Sequence, residues 1–359
     1  MEGKVLVTGS NGQLGQCFKY ISNYSFMCDA SRYVFVTRED FDITNDKMMK
    51  NYLDKYNDIK IIINCAAYTD VKGAESEEGY KKAMLANRNA VKSLARLCKE
   101  RNIFLIHFGT DYMFNTDVWH FNGGNVYHNE FLPVDEEAIH WRYRNEFFNM
   151  HYVNSGEINK YGLSKLLGIH EIFNEMLPKH EDKVLKPNFV IIVVSWLYSP
   201  YGKNFVRTIR ELLKKDRKPD EKIEVVYTQV GSPTYAMDLA RYVIDVIEND
   251  DCCFIKNPNE YNIVDYANYF HMINFSNLGV ASWYDIAKVI ENIYCLTTDN
   301  IIPRKEPLDS VFRPSYSVLD TKKLIKFKSN KNYVRHWLDA LNECIIVIRS
   351  NEIKKETDE

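Results

Sequence analysis

An apolar run that passes directly into spaced glycines constrains this chain more than any other feature. Lys4-Val5-Leu6-Val7 reads as a short buried strand, and Thr8-Gly9-Ser10-Asn11-Gly12-Gln13-Leu14-Gly15 follows without a break. Leu14, Phe18 and Ile21 then recur at helical spacing. A strand, a tight glycine turn and a helix, in that order, open a parallel, doubly wound sheet. The same turn suits a dinucleotide. Small residues let the backbone approach a diphosphate, and the helix N-terminus offers unpaired N–H groups and a positive dipole end. Gly9, Asn11, Gly12, Gln13, Leu14 and Gly15 are therefore the expected contacts. Glycine marks turns of every kind, so the motif needs support from the rest of the chain.

Tyr33-Val34-Phe35-Val36 reads as a second strand, and the end of that strand is where an adenosine ribose lies in such folds. Arg38 can pair there with a 2′-phosphate, which favours NADPH, or stand as a solvated surface arginine. Asp42 and Ile43 can edge the adenine. Residues 60–67 form a third strand, and Ala66 and Ala67, with Tyr68, leave room for a cofactor to pass closely. NADPH and NADH both remain open as cofactors.

Strands continue to alternate with helical stretches to about Phe114. Tyr80 to Arg101 reads as one helix with Met84, Leu85, Val91, Leu94 and Leu97 on a face, and residues 103–108 as a buried strand. The pattern breaks at about 115–156, a segment rich in aromatics, histidines and acids around Gly123-Gly124. An irregular insertion near the site is expected there. His120, His128, Glu130 and His140 fall within it without metal-ligand spacing, so no metal is expected. After Tyr161 the pattern gives a helix to about Met176, a strand at 189–194, and helices at 205–214, 235–248 and 283–293. The expected division is residues 1–190 as a dinucleotide-binding domain, 191–350 as a smaller portion interleaved with it, and a charged, disordered tail at 351–359.

Composition excludes several classes. The 46 basic and 49 acidic residues give a formal charge of −3, and lysines and acids are interspersed rather than blocked, which leaves no nucleic-acid footprint. The N-terminus lacks the apolar core of a secretory signal. The longest apolar run, from Phe189 through Tyr198, is too short to span a bilayer. Eight cysteines are scattered with no C-x-x-C pair, the usage of a reducing cytoplasm. Core or loop packing accounts for Cys252-Cys253 better than a metal does.

A second signal assigns chemistry. Tyr161-Gly162-Leu163-Ser164-Lys165 places a tyrosine and a lysine on one helical face. A cation ~5 Å from a phenolate, at an effective dielectric of ~20, is worth roughly 3 kcal/mol. Lys165 is thus expected to lower the Tyr161 pKa and make the phenol a general acid near neutral pH. Lys165 could also hold a nicotinamide ribose. Thr110 ends the fourth strand in Gly109-Thr110-Asp111-Tyr112-Met113-Phe114, where its hydroxyl could bond a substrate oxygen beside the tyrosine. Taken together, Thr110, Tyr161 and Lys165 point to hydride delivery to a carbonyl carbon with protonation by Tyr161.

The G-x-x-G-x-x-G spacing is typical of extended short-chain dehydrogenases/reductases, and further segments narrow the resemblance. They are Asn64-Cys65-Ala66-Ala67-Tyr68-Thr69 with Ala74-Glu75, Asn159-Lys160 before Tyr161, Ser195-Trp196-Leu197-Tyr198, and Asn204-Phe205-Val206. Gln229-Val230-Gly231-Ser232-Pro233-Thr234, Arg313-Pro314-Ser315-Tyr316-Ser317 and Leu319-Asp320 complete the set. With these the chain resembles the dTDP-4-dehydrorhamnose reductase family over nearly its whole length, apart from 115–156 and the tail. The resemblance implies an α/β, Rossmann-type doubly wound parallel sheet with a smaller C-terminal substrate-binding α/β subdomain. It implies reduction of the 4-keto group of dTDP-4-dehydro-L-rhamnose by NADPH or NADH. Thr110, Tyr161 and Lys165 would be catalytic. Thr69, Val71, Thr110, Asp111, Trp196, Asn204 and Arg313 would contact the nucleotide sugar, Trp196 through its apolar face and Arg313 through the diphosphate.

The chain departs from the family at four places. The family usually has aspartate within the segment held by Val71-Lys72-Gly73, glutamate at Ile169, arginine at Val193 and aspartate at Thr228. The stretch between Thr110 and Tyr161 is also long. Two alternatives stay open: another extended short-chain nucleotide-sugar reductase or epimerase, and a non-catalytic dinucleotide-binding regulatory subunit. A cytoplasmic monomer or homodimer is expected, with no membrane or nucleic-acid partner.

Overall fold

The glycine turn and the apolar runs assemble as a Rossmann-like α/β sheet in the computed structural model. It describes residues 3–24, 28–114, 119–121, 124–126, 158–177, 188–215, 221–249, 272–294, 300–322, 324 and 334–358. The first half runs β1 (Lys4–Thr8), α1 (Gln13–Tyr24), β2 (Tyr33–Phe35), α2 (Asp46–Lys55), β3 (Ile59–Asn64), α3 (Glu77–Met84), α4 (Ala90–Arg101) and β4 (Phe104–Thr110). A small antiparallel hairpin, β5 (Trp119–Phe121) and β6 (Gly124–Val126), is the described part of the expected insertion. His128, Glu130 and His140 lie outside the described residues, as do Cys252 and Cys253. Then come α5 (Lys160–Met176), β7 (Phe189–Val194), β8 (Leu197–Tyr198), α6 (Phe205–Lys214), β9 (Ile223–Val226), β10 (Val230–Gly231), β11 (Thr234–Tyr235) and α7 (Ala236–Glu248). The chain ends with β12 (Met272–Phe275), β13 (Ala281–Ser282), α8 (Trp283–Tyr294), β14 (Ile301–Arg304), β15 (Tyr316–Ser317) and α9 (Trp337–Asp358).

Six parallel strands pair in the order β12-β7-β4-β3-β1-β2. The chain reverses direction across the sheet between β1 and β3, and a crevice for ligands opens beyond the strand ends at such a switch point. Both faces are covered, which is why the strands read as continuous apolar runs. Val5, Val7, Ile61, Ile63, Ile106 and Ile192 pack toward one face, Leu6, Ile62, Leu105, Ile191 and Val193 toward the other, all nearly inaccessible. Each such side chain contributes about 1.5–3 kcal/mol of burial. The smaller sheets, β13-β10-β15, β8-β11 and β9-β14, are built from strands of two to four residues.

Two expectations are corrected. The helix expected over 80–101 is interrupted by a π-helical turn, Leu85–Asn89, because Asn87 turns inward to bond Tyr68 and Ser164; Leu85 is consequently exposed. Residue 190 lies inside β7, and β12 from the second half pairs with that strand. The tail expected to be disordered continues α9 through Asp358. Glu352 anchors it to α6 by pairing with Lys214 at 3.2 Å and with the buried Arg210. The five described cysteines, Cys17, Cys28, Cys65, Cys98 and Cys344, are free thiols. Among the described residues no helix is long and apolar enough to cross a membrane, and no group of three or more His, Cys, Asp or Glu could hold a metal.

Candidate active site

The glycine turn lies at the carboxyl end of β1. Gly9 has φ +61°, and a Cβ there would sit 2.7 Å from the Ala66 nitrogen. A Cβ on Gly15 would sit 2.5 Å from the Gly9 oxygen. Turn, helix start and the Ala66 segment are therefore in backbone contact, with no room for a side chain between them at Gly9 or Gly15. This cradle fits a dinucleotide diphosphate. Asn11 and Gly12 are exposed on it. Gln13 reaches across to the Leu197 carbonyl at 3.4 Å, tying the cradle to the second half of the chain. The Leu14 side chain is buried in the core, so Leu14 offers a ligand only its backbone; the same holds for Ile43. Arg38, 78% exposed, donates from Nε to Asp42 Oδ2 at 2.9 Å, while Asp42 also accepts from the Thr44 amide and hydroxyl. Arg38 has the freedom to leave for a stronger anion.

Beneath the cradle, three strands share a buried polar chain. Thr8 donates to Asn64 Oδ1 at 2.7 Å, which turns the Asn64 amide nitrogen toward His107 Nδ1 at 3.1 Å. Burial, then the charge of Lys165, push the imidazole well below its ordinary pKa, so His107 is neutral.

The structure places Thr110, at the end of β4, beside Tyr161 of α5, and sets Lys165, one turn further along α5, within electrostatic reach of Cys65 and His107; all three are buried. Asn159 caps α5 by accepting from the Gly162 amide at 2.7 Å and donates to the Phe312 carbonyl at 2.9 Å. Gly162 lets the helix lie against the Tyr112 carbonyl, where a Cβ would be only 2.0 Å away. Gly168 does the same against Asn87, whose amide also donates to Ser164 Oγ at 2.9 Å. Tyr161 is thereby fixed beside Thr110, with which it hydrogen-bonds, and edge-on to Tyr112 at 6.0 Å and 79°.

The electrostatics differ from the expectation. Tyr161 is not lowered by Lys165: burial, then the Asp111 charge, push the phenol up, and the Thr110 bond opposes them. The reason is desolvation of both groups. Lys165 is itself pushed down by burial to about 8, with Cys65 as the opposing neighbour. A phenol held up in this way is protonated at neutral pH, as a proton donor must be. Asp111, also buried, is raised by desolvation to about 6 against the hydroxyls of Ser317, Thr110 and Ser195. Thr110 donates to it at 3.0 Å and Ser195 at 3.2 Å.

The substrate-side residues are less uniform. Val71, with Tyr68 and Tyr112, packs around Tyr161, and Thr69 is exposed beside them. Trp196 sits at φ +48°, a strained conformation for a non-glycine residue. Its indole stacks on Trp283 at 3.6 Å and 5°, so one face is already covered, and it fits only because Gly231 has no Cβ. Asn204 is a helix cap. It accepts from the Arg207 amide at 3.2 Å and donates to the carbonyls of Ser199 and Tyr201 at 2.8 and 3.1 Å. Both amide hydrogens are spent, so Asn204 shapes the site rather than contacting a ligand with them. Arg313 lines a cavity of about 360 Å³ with Tyr112 and Asp309, and the remaining wall includes Ile209, Leu212, Val225 and Trp283.

Sequence reasoning missed Asn87, Tyr112, Trp283 and Asp309. A polar residue inside an apolar helical pattern was the available signal for Asn87. Trp283 and Asp309 carried none, since only tertiary packing brings them to the cleft.

This geometry can be set beside known proteins. The chain is 26% identical to a dTDP-4-keto-6-deoxy-D-glucose reductase of Streptomyces niveus over 98% of its length and 100% of that protein. It is 28% identical to the spore coat polysaccharide biosynthesis protein SpsK of Bacillus subtilis, over 95% of this chain and 96% of that one. Among solved structures, dTDP-4-dehydrorhamnose reductase of Bacillus anthracis in complex with NADP superposes with a TM-score of 0.68 at 26% identity, covering 96% of this chain and 99% of that one. The family model of the RmlD substrate binding domain matches residues 3–349, and the chain belongs to that family.

Proposed function

We propose that this protein is an NAD(P)H-dependent oxidoreductase that reduces the 4-keto group of a nucleotide-activated deoxysugar, dTDP-4-dehydro-L-rhamnose before others. The observation that carries this reading is the buried Tyr161 held beside Thr110, with Lys165 buried one turn along the same helix. Gly9, Gly12, Gly15, Ala66 and Ala67 would hold the dinucleotide by backbone approach, and the reduced nicotinamide supplies the hydride. Tyr161 gives its phenolic proton to the sugar oxygen as the carbonyl is reduced. Thr110 orients that oxygen, and Lys165, at about 8, is poised to return a proton to the phenol. Thr69, Val71, Asp111, Trp196 and Arg313 surround the sugar nucleotide. The names of the relatives support the reductase class, and one of them acts on a different 4-keto sugar, so a second substrate of the same type is the nearest competitor. The intact trio argues against a purely regulatory subunit.

The test is absorbance at 340 nm with NADPH and enzymatically prepared dTDP-4-dehydro-L-rhamnose. Stoichiometric oxidation that is lost in Tyr161→Phe supports the reading. Oxidation with another 4-keto sugar only would move the substrate and keep the reaction. Absence of turnover with every 4-keto sugar, despite NADPH binding, would sink it.

A further inference from the structure

Arg313 already holds an anion. Its Nη1 donates to Asp309 Oδ1 at 2.5 Å and its Nη2 to Oδ2 at 3.1 Å, the two-pronged pairing that a guanidinium also makes with phosphate. Nη1 further reaches the Val311 carbonyl at 3.2 Å. Asp309 has little else to do. It accepts from the Val311 amide at 3.2 Å, caps no helix and pairs with no strand. The Arg313 hydrogen bonds hold this carboxylate below the usual range, and the Lys72 charge adds a smaller pull in the same direction.

Both Asp309 and Arg313 line the cavity next to Tyr112, and Tyr112 lies against Tyr161. The rest of the lining is largely apolar, with Ile209, Leu212, Val225 and Leu308, and also includes Glu224 and Gln229. A ligand that fits has an apolar or aromatic end and a strongly anionic middle that stops beside the tyrosine. The ion pair is partly solvated, 20% exposed on the arginine and 23% on the aspartate, so a stronger anion can exchange for it.

We infer that Asp309 is an internal stand-in for the substrate's diphosphate, occupying the Arg313 fork until a nucleoside diphosphate displaces it. It is then a specificity-determining residue. A diphosphate carries enough charge to take the fork and to engage Lys72, whereas a nucleoside has nothing to exchange for the carboxylate. The inference rests on the nucleotide-sugar reading of this site.

Calorimetric titration of the full chain with dTDP, UDP and thymidine tests it. Asp309→Asn keeps the size of the side chain and is expected to bind a diphosphate about three- to tenfold more tightly than the unsubstituted protein, with thymidine unchanged. In an Arg313→Ala background the same substitution is expected to give no gain, because the fork it frees is gone. Asp309→Ser, checked by circular dichroism, repeats the measurement should the asparagine variant fold poorly. Equal or weaker diphosphate binding in both variants would overturn the inference while leaving the nucleotide-sugar reading in place. So would a gain that persists with Arg313→Ala, which would reduce Asp309 to a source of long-range repulsion. Failure of the unsubstituted protein and both variants to bind either diphosphate would remove the nucleotide-sugar reading, and this inference with it.

Discussion

The two walls of the cleft are made of different materials. On the cofactor side, parallel strands β1, β3 and β4 carry a turn whose geometry is backbone against backbone: Gly9 on Ala66, Gly15 on Gly9. On the substrate side, strands of two residues hold up side chains drawn from distant parts of the chain. Tyr112, Trp196, Trp283, Asp309 and Arg313 meet there through stacking and ion pairing. The first wall offers one fixed shape to a constant ligand. The second can change its lining without disturbing the sheet.

If the walls are independent, chemistry at the seam should be separable from binding at either side. Tyr161→Phe removes only the acid and is expected to lower kcat by about 10²–10⁴-fold. NADPH fluorescence titration should show unchanged cofactor affinity. A parallel loss of NADPH binding would mean that the phenol also builds the cofactor wall.

Asp111 sits on the same seam, and its effect is one of stability. Its pKa is about 6 in the fold against an ordinary value of 3.8. The folded state therefore holds the proton more tightly than the unfolded state, and stability is greatest below the unfolded value and falls as pH rises through about 6. Asp111→Asn is expected to gain up to about 3 kcal/mol at pH 7 and nothing below pH 4. Urea denaturation across pH 4–8 checks this. A destabilised variant at pH 7 would show that the hydroxyls around the carboxylate outweigh its desolvation.

Gly15→Val probes the backbone-built wall alone. The added side chain meets the Gly9 oxygen and Ser10 Cα, at 2.5 and 2.6 Å from the first carbon. Overpacking of about 1–3 kcal/mol converts to roughly five- to 150-fold weaker NADPH binding. dTDP affinity should hold. Gly12→Ala, whose Cβ would meet the Gly9 oxygen at 3.2 Å, should lose only a few-fold. Equal losses for the two substitutions would break the link between backbone approach and cofactor binding.

The smallest effect separates shape from contact on the other wall. Asn204→Ala removes the α6 cap and is expected to cost about 1 kcal/mol in thermal unfolding, with kcat/KM within about twofold. A tenfold rise in KM at unchanged stability would restore Asn204 to direct substrate contact.

Much of this was legible before folding. The spacing of Gly9, Gly12 and Gly15 after an apolar run specifies strand, turn and helix, because backbone approach and helical period are local properties. The Tyr161–Lys165 interval placed two groups on one face for the same reason. What the residues do to each other was not legible. Spacing predicted that Lys165 would lower the tyrosine, whereas burial, which depends on every element packed around α5, raises Tyr161 and lowers Lys165. Asn204 and Arg313 lay in segments that marked the family, yet one is spent on a helix cap and the other is held by Asp309. Local sequence determined which groups the site contains and the strand order's starting point. Tertiary structure alone decided their protonation and their partners, because desolvation and ion pairing are set by neighbours far away along the chain.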